Sequence, residues 1–361
     1  MNVAIGFRPR SGPWGGGNQF AAAVATFLEQ RGHAVGFALD RPDLDLILLT
    51  EPRRSSASSA FNDADVWRYI TGGNRRTLVV HRINECDERK NTRWTNRRLA
   101  LANRCADHTV FISSWLRDLF QSSGYRMAES SVILNGADEQ VFHATGGATW
   151  DGTGKVRLVT HHWSANWSKG FDIYTRLDAL LAQPPFGDLF EFTYIGTFPP
   201  GLSLPRTRVV APLAGQALAE ELRRHHVYVT ASLHEPAGMH HIEGAMCGLP
   251  VLYRLSGALP QYAEGFGIPF DSATFEDRLL DIRNQYAGLR SKMPAYPHTA
   301  GRMCLAYAAL FETLLSRRNE ILAGRGWTRG SAESTRMLGI LYDAWYRAAL
   351  RLERRAHRPV A

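Results

Sequence analysis

The stretch that decides the fold is VTASLHEPAGMHHIEGAMCGLPVLY, residues 229–253. VTA ends an apolar, β-branched run; the turn LHEPAG follows, MHHIEGAM has helical character and stops at Gly248, and PVLY opens another strand. Strand, loop, helix, strand is the repeating unit of a parallel sheet covered by helices. Glu235 falls in the loop at a strand's C-terminal end, where open α/β sheets bind ligands. Glu243 lies on the helix that opens at Gly238 and Met239. At a rise of about 1.5 Å per residue, both carboxylates reach one ligand held at that helix N-terminus. The free N–H groups there suit an anion such as a diphosphate, and the carboxylates suit sugar and ribose hydroxyls.

The same alternation extends outward in both directions. On the C-terminal side it runs strand 156–161, helix 171–182, strands 190–195 and 208–211, helix 218–226, strand 227–231, helix 239–247 and strand 251–253. On the N-terminal side, strands are expected at 2–7, 34–39, 44–50, 77–83, 108–113 and 131–134. A helix between the first two places Phe20, Ala23, Val24, Phe27 and Leu28 on one face and stops at Gly32. Ser113 or Ser114 caps the helix WLRDLF. The pattern breaks at HATGGATWDGTGK (143–155), a linker by composition. The reading is α/β: two facing Rossmann-like, doubly wound parallel-sheet domains, 1–145 and 153–310, with C-terminal helices over 311–361.

With 361 residues the chain is too long for one ordinary core and suits two. An apolar fraction of 45 % and a charged fraction of 21 % describe a soluble protein, and no apolar run is long enough to span a membrane. MNVAIGF enters a strand at once and does not read as a secretory signal. The four cysteines are far apart, which excludes a zinc knuckle or a disulfide framework and fits a reducing cytosol. The net charge of +8 fits an anionic partner without choosing it.

The 229–253 stretch resembles the EPxGxxxxEAxxxGxPV signature of the large GT-B family of retaining glycosyltransferases that includes sucrose-synthase-like and mannosyltransferase-like enzymes (family 4). Glu235, Pro236, Gly238, Glu243, Gly248, Pro250 and Val251 match, Gly244 replaces the common alanine, and SGALPQY resembles the family's GGxPEx. The resemblance implies a GT-B fold, Glu235 near the donor sugar and Glu243 on the ribose. It also implies a cationic diphosphate site: in THHWSANWSKGFDIY (160–174), Lys169-Gly170 matches the family's Lys-Gly. The family's preceding arginine is absent, leaving His161, His162, Ser164 and Asn166 there. Lys169 then faces the leaving group, with His162 as an assisting donor.

GPWGGGNQF (12–20) resembles the family's N-terminal glycine loop, so Gly16 and Gly17 are expected against the donor phosphates. The family's histidine near the reacting sugar has no unambiguous match in VVHRINECDERK (79–90). His81 falls inside the strand, and Asn84, Glu85 or Asp87 can take the place, Asn84 being the chosen candidate. The seven basic residues from Arg82 to Arg104 read first as a solvated helical face, and alternatively as a patch for a lipid-linked or anionic acceptor at a membrane.

His-His pairs at 161/162, 225/226 and 240/241 lack the i, i+4 spacing of a helical zinc site, and no DxD-type pair stands beside a strand end. No metal is expected, and the nucleoside-diphosphate sugar is a co-substrate rather than a cofactor. The expected activity is retaining hexosyl transfer to a glycan or lipid-linked hydroxyl, in polysaccharide biosynthesis. The expected place is the cytoplasm, with peripheral contact at the anionic inner membrane face left open. Nucleic acid is not an expected partner, for want of a reading motif. The alternatives are a non-catalytic GT-B module that binds nucleotide or glycan, and a GT-B sugar epimerase.

Overall fold

The computed structural model of the chain describes residues 1–8 and 16–356, with side chains to residue 349. Residues 9–15, Gly15 among them, and the basic side chains of 351–361 lie outside the described residues.

The first sheet comprises β1 (Asn2–Ile5), β2 (Ala34–Gly36), β3 (Leu46–Leu49), β4 (Leu78–Ile83), β5 (His108–Phe111) and β6 (Ser130–Val132), in the order β2-β1-β3-β4-β5-β6. The second comprises β7 (Val156–His162), β8 (Phe190–Gly196), β9 (Arg208–Val210), β10 (Val227–Thr230), β11 (Val251–Arg254) and β12 (Gly267–Phe270), in the order β12-β11-β10-β7-β8-β9. Every named pairing is parallel. β3 and β4 are buried at each position, as parallel strands covered on both faces must be. In the second sheet the strand order reverses between β7 and β10, so a crevice opens beyond the C-terminal ends of those two strands.

Helix Gly16–Glu29 buries Phe20, Ala21, Val24, Ala25 and Leu28; Ala23 and Phe27 of the expected face are only partly covered. Gly32 follows at φ 78°. Ser113 is the cap of helix Ser114–Ser122, its hydroxyl accepting from the N–H of Leu116 at 3.2 Å.

Two differences from the sequence reading have clear causes. β12 has the sequence GIPF, whose proline hides the strand signal; it is an edge strand, where a missing N–H costs no ladder bond. The expected boundary at 310 also moves. Helix Ala300–Ser316 packs Met303, Tyr307 and Phe311 into the first sheet's core, with Phe20 and Tyr307 edge to face at 5.1 Å. The chain returns to the first half at Thr299, which bridges Ala137 on the outgoing crossing. Apolar burial decides this, at about 1.5–3 kcal/mol for each large side chain.

The last helix, Arg329–Ala356, also lies on the first half. Arg98, fully buried, bonds Asp63 Oδ1 at 2.5 Å and Asp343 at 2.6 and 2.9 Å, tying together helices Thr95–Asn103, Asp63–Gly72 and Arg329–Ala356. Arg98 is thus not part of a solvated face. Arg82 is buried as well, whereas Lys90, Arg93, Arg97 and Arg104 are exposed.

Candidate active site

β7 and β10 deliver two loops to the crevice. After β7 the chain turns through Asn166, whose side chain accepts from the Ser168 N–H at 2.9 Å, into the short 3₁₀ turn Trp167–Lys169. Gly170 follows at φ 97°, and a Cβ there would sit 2.6 Å from the Ala231 carbonyl, so only glycine lets Lys169 close onto the end of β10. After β10, His234 adopts φ 50°, a costly conformation for a non-glycine residue. Its N–H bonds Ser256 Oγ at 2.8 Å, and the Ala258 N–H bonds the Glu235 carbonyl at 2.8 Å. The SGA segment therefore holds the Glu235 backbone in place.

Lys169 Nζ lies 2.6 Å from Glu235 Oε2, and both residues are buried. Arg89, from the first half, approaches Glu235 Oε1 with its Nε at 3.4 Å. Burial pushes the Glu235 carboxyl up, but Lys169 and Arg89 outweigh it and hold the group at about 2. Burial likewise lowers Lys169 from its ordinary value against the pull of Glu235. Arg89 is shared with Glu85 at 3.2 Å, and Glu85 also pairs with Lys90.

Between the halves lies a small cleft of about 100 Å³, lined by Gly16, Gly17, Arg82, Asn84, Arg89, Asn135, Glu235, Gly238 and Met239 among others. Gly16 opens its helix directly against Met239: a Cβ there would lie 2.5 Å from the methionine Cγ. Gly238 is the N-cap of helix Met239–Met246. Glu243, buried on that helix, uses both oxygens: Oε2 lies 2.8 Å from His161 Nε2, and Oε1 accepts from Gln19 Nε2 at 3.1 Å across the cleft.

The sequence-derived candidates divide accordingly. Glu235, Asn84, Gly16, Gly17, Gly238 and Met239 line the cleft, Lys169 contacts it through Glu235, and Glu243 meets the first half through Gln19. His162 does not line it. Its ring is buried against Tyr174 Oη (2.8 Å) and Thr160 Oγ1 (3.3 Å), and burial drives its pKa well down. The strand alternation instead aims its neighbour His161 at Glu243. His81 is a core side chain beside Asn103 at 3.2 Å. Asp87 accepts from the Thr92 hydroxyl and from the Thr95 and Asn96 N–H groups (2.6–3.0 Å), so it organises a helix start.

Sequence reasoning missed Asn135 and Gln19, named Arg82 and Arg89 only as members of the basic run, and named His161 only as one of four residues in the place of the missing arginine. Arg89 was concealed in a basic run with no period, and Gln19 is one ordinary polar residue of a helix. Among the described residues no group of three or more His, Cys, Asp or Glu is arranged to hold a metal ion.

No family model matches the chain, and no curated protein matches it. Solved structures do. Sucrose-phosphate synthase from Thermosynechococcus elongatus aligns with a TM-score of 0.66 at 15 % identity, over 88 % of this chain and 99 % of that one. Anabaena HepE in complex with UDP and glucose aligns at 0.61 and 17 %, over 87 % and 100 %. The pneumococcal O-GlcNAc transferase GtfA in complex with UDP and GlcNAc aligns at 0.57 and 13 %, over 82 % and 60 %. These likenesses show the fold: two facing parallel sheets of the GT-B type.

Proposed function

We propose that the chain is a retaining glycosyltransferase of the family 4 type. It moves a hexosyl group from a nucleoside-diphosphate sugar to a hydroxyl of a glycan or lipid-linked acceptor, without a metal. The observation that carries this is the buried Lys169–Glu235 pair, held at the strand-order reversal and facing Gly16 and Gly17 across the cleft. The UDP and sugars bound in the HepE and GtfA structures fit the same donor class.

In this reading the base and ribose lie along β7 and β10. A ribose hydroxyl donates to Glu243 in place of the Gln19 amide, which already supplies an N–H to that oxygen. Glu235 accepts hydrogen bonds from the sugar. Lys169 and the N-terminus of helix Met239–Met246 stabilise the charge that builds on the departing diphosphate. The anomeric carbon becomes oxocarbenium-like as its bond to the diphosphate breaks, the acceptor hydroxyl attacks from the face the diphosphate leaves and gives its proton to the departing diphosphate oxygen, and Asn84 borders that space from the first half. A cleft of about 100 Å³ is smaller than the roughly 300–1,000 Å³ of pockets that enclose a ligand. Donor access therefore parts the halves, breaking Gln19–Glu243 and the bond from Ser168 Oγ to the Arg89 carbonyl (2.9 Å). Reclosure excludes water.

The natural setting for such an activity is the cytoplasmic side of polysaccharide assembly. No helix among the described residues is long and apolar enough to cross a membrane. Leu338, Leu341 and Trp345 are exposed on helix Arg329–Ala356, and exposed Arg97, Arg104 and Arg126 border Leu338. That combination suits peripheral contact with anionic lipid.

One observation favours a second reading, a non-catalytic nucleotide-binding module: no arginine stands between residues 160 and 168. Thermal shift against UDP, GDP, ADP and CMP and their sugars, in EDTA, tests the donor site. A shift with one nucleotide that disappears in Glu243→Ala supports it, and no shift with any of them refutes it.

A further inference from the structure

The cleft carries more positive charge than the pairs within it use. Arg89, Lys90 and Lys169 share Glu85 and Glu235, and Arg82 borders the same cleft without a carboxylate, a surplus of two cations over carboxylates in this group. Arg82 is 2 % exposed, lies over the Phe20 ring at 3.8 Å and donates from Nη2 to Asn135 Oδ1 at 2.9 Å. The Tyr307 hydroxyl stands beside it, Nε and Nη1 otherwise lack a hydrogen-bond partner, and no carboxylate pairs with it among the described residues. Burying an unpaired guanidinium is costly unless an anion compensates it. Both arginines come from the first half and border the same space as Gly16, Gly17 and Gly238.

The loop after β7, by contrast, brings Lys169 alone. Trp163 is exposed there, and Asn166 spends its side chain on the turn. Arg89 stands on the other side of the carboxylate that Lys169 holds: Nε is 3.4 Å from Oε1, where Lys169 Nζ is 2.6 Å from Oε2. A diphosphate entering between the halves would be gripped by one cation from each.

We propose that Arg89, from the N-terminal half, is the second diphosphate-binding cation of the donor site, opposite Lys169, with Arg82 supplying the charge behind it. This rests on the nucleotide-sugar reading. It also makes diphosphate binding dependent on closure of the halves, because the two cations belong to different ones.

The experiment is calorimetric titration of wild type, Arg89→Ala, Arg89→Lys and Arg89→Gln. The probes are UDP, GDP or ADP, whichever binds wild type best, and the matching nucleoside. Near-UV circular dichroism establishes that each variant is folded. Loss of a charge-assisted contact is expected to weaken the diphosphate by about 10- to 100-fold in Arg89→Ala. Arg89→Lys should recover part of that loss, and the nucleoside should bind all four proteins alike. Inorganic pyrophosphate should compete for wild type and fail for Arg89→Ala. A folded Arg89→Ala that binds the diphosphate as tightly as wild type overturns the assignment and leaves the donor reading standing. Equal losses for nucleoside and diphosphate also overturn it, since they would mean that Arg89 only shapes the site. Should wild type bind no nucleotide, the donor reading fails first and takes the assignment with it.

Discussion

Glu235→Gln exchanges a buried carboxylate for an amide of the same shape, which stands in for the protonated acid. Glu235 is held at about 2, because Lys169 at 2.6 Å and Arg89 at 3.4 Å outweigh the burial that pushes it up. Against an ordinary value of 4.5, that shift corresponds to about 3 kcal/mol of stability at neutral pH. A depressed carboxyl contributes fully above its unfolded pKa and loses the contribution as pH falls toward its folded one. Wild type should therefore exceed Glu235→Gln by about 3 kcal/mol at pH 7 and by about 1 kcal/mol at pH 3, approaching zero only below pH 2. Urea unfolding followed by fluorescence of the nine tryptophans measures the gap at each pH. Titrations of groups remote from Glu235 cancel in the difference. A gap that stays constant from pH 7 to pH 3, or no gap at pH 7, would refute the ion-pair reasoning.

Three other outcomes are expected. Gly170→Ala forces an L-residue to φ 97° against the Ala231 carbonyl, so it should lose about 2–5 kcal/mol in urea and weaken nucleotide binding by moving Lys169; an unchanged midpoint would contradict this. Asp343→Ala leaves Arg98 bonded to Asp63 alone among its carboxylates, which should cost about 3–5 kcal/mol and expose helix Arg329–Ala356 to limited proteolysis; wild-type protease resistance would count against the triad. Burial holds His81 and His241 at about 3, and His225, His226 and His298 at about 4, so these rings stay neutral in the fold but charge in the unfolded chain below about 6.5. Stability should accordingly fall between pH 7.5 and 5.5 by about 1 kcal/mol for each ring, and identical urea midpoints at the two values would show that it does not.

The 229–253 stretch disclosed both the second sheet's construction and its carboxylates because glycine, proline and apolar period all act locally there. A strand end, a helix start and a Gly stop fix where Glu235 and Glu243 emerge. What escaped was set by the approach of distant segments. Arg89 and Arg98 belong to one basic run, yet the first meets Glu235 across the cleft and the second is sealed between three helices. Neither fate is written in the run itself. Both rings of the His161–His162 pair pack near His240 of helix Met239–Met246, and which of them meets Glu243 rather than Tyr174 is set by tertiary placement that paired histidines give no apolar-polar contrast to read. Helix Ala300–Ser316 shows an ordinary amphipathic pattern that does not say which of two sheets it will cover.

The central claim is that the cleft activates a nucleotide-sugar donor without a metal. It is tested most directly by nucleotide release from UDP-, GDP- and ADP-sugars by the purified chain in EDTA, beside Lys169→Ala and Glu235→Gln. The expected result is slow hydrolysis or faster transfer from one donor, reduced at least tenfold in both variants. Binding of a nucleotide with no release from any sugar donor in the panel, with or without added acceptor glycans, would contradict the catalytic reading.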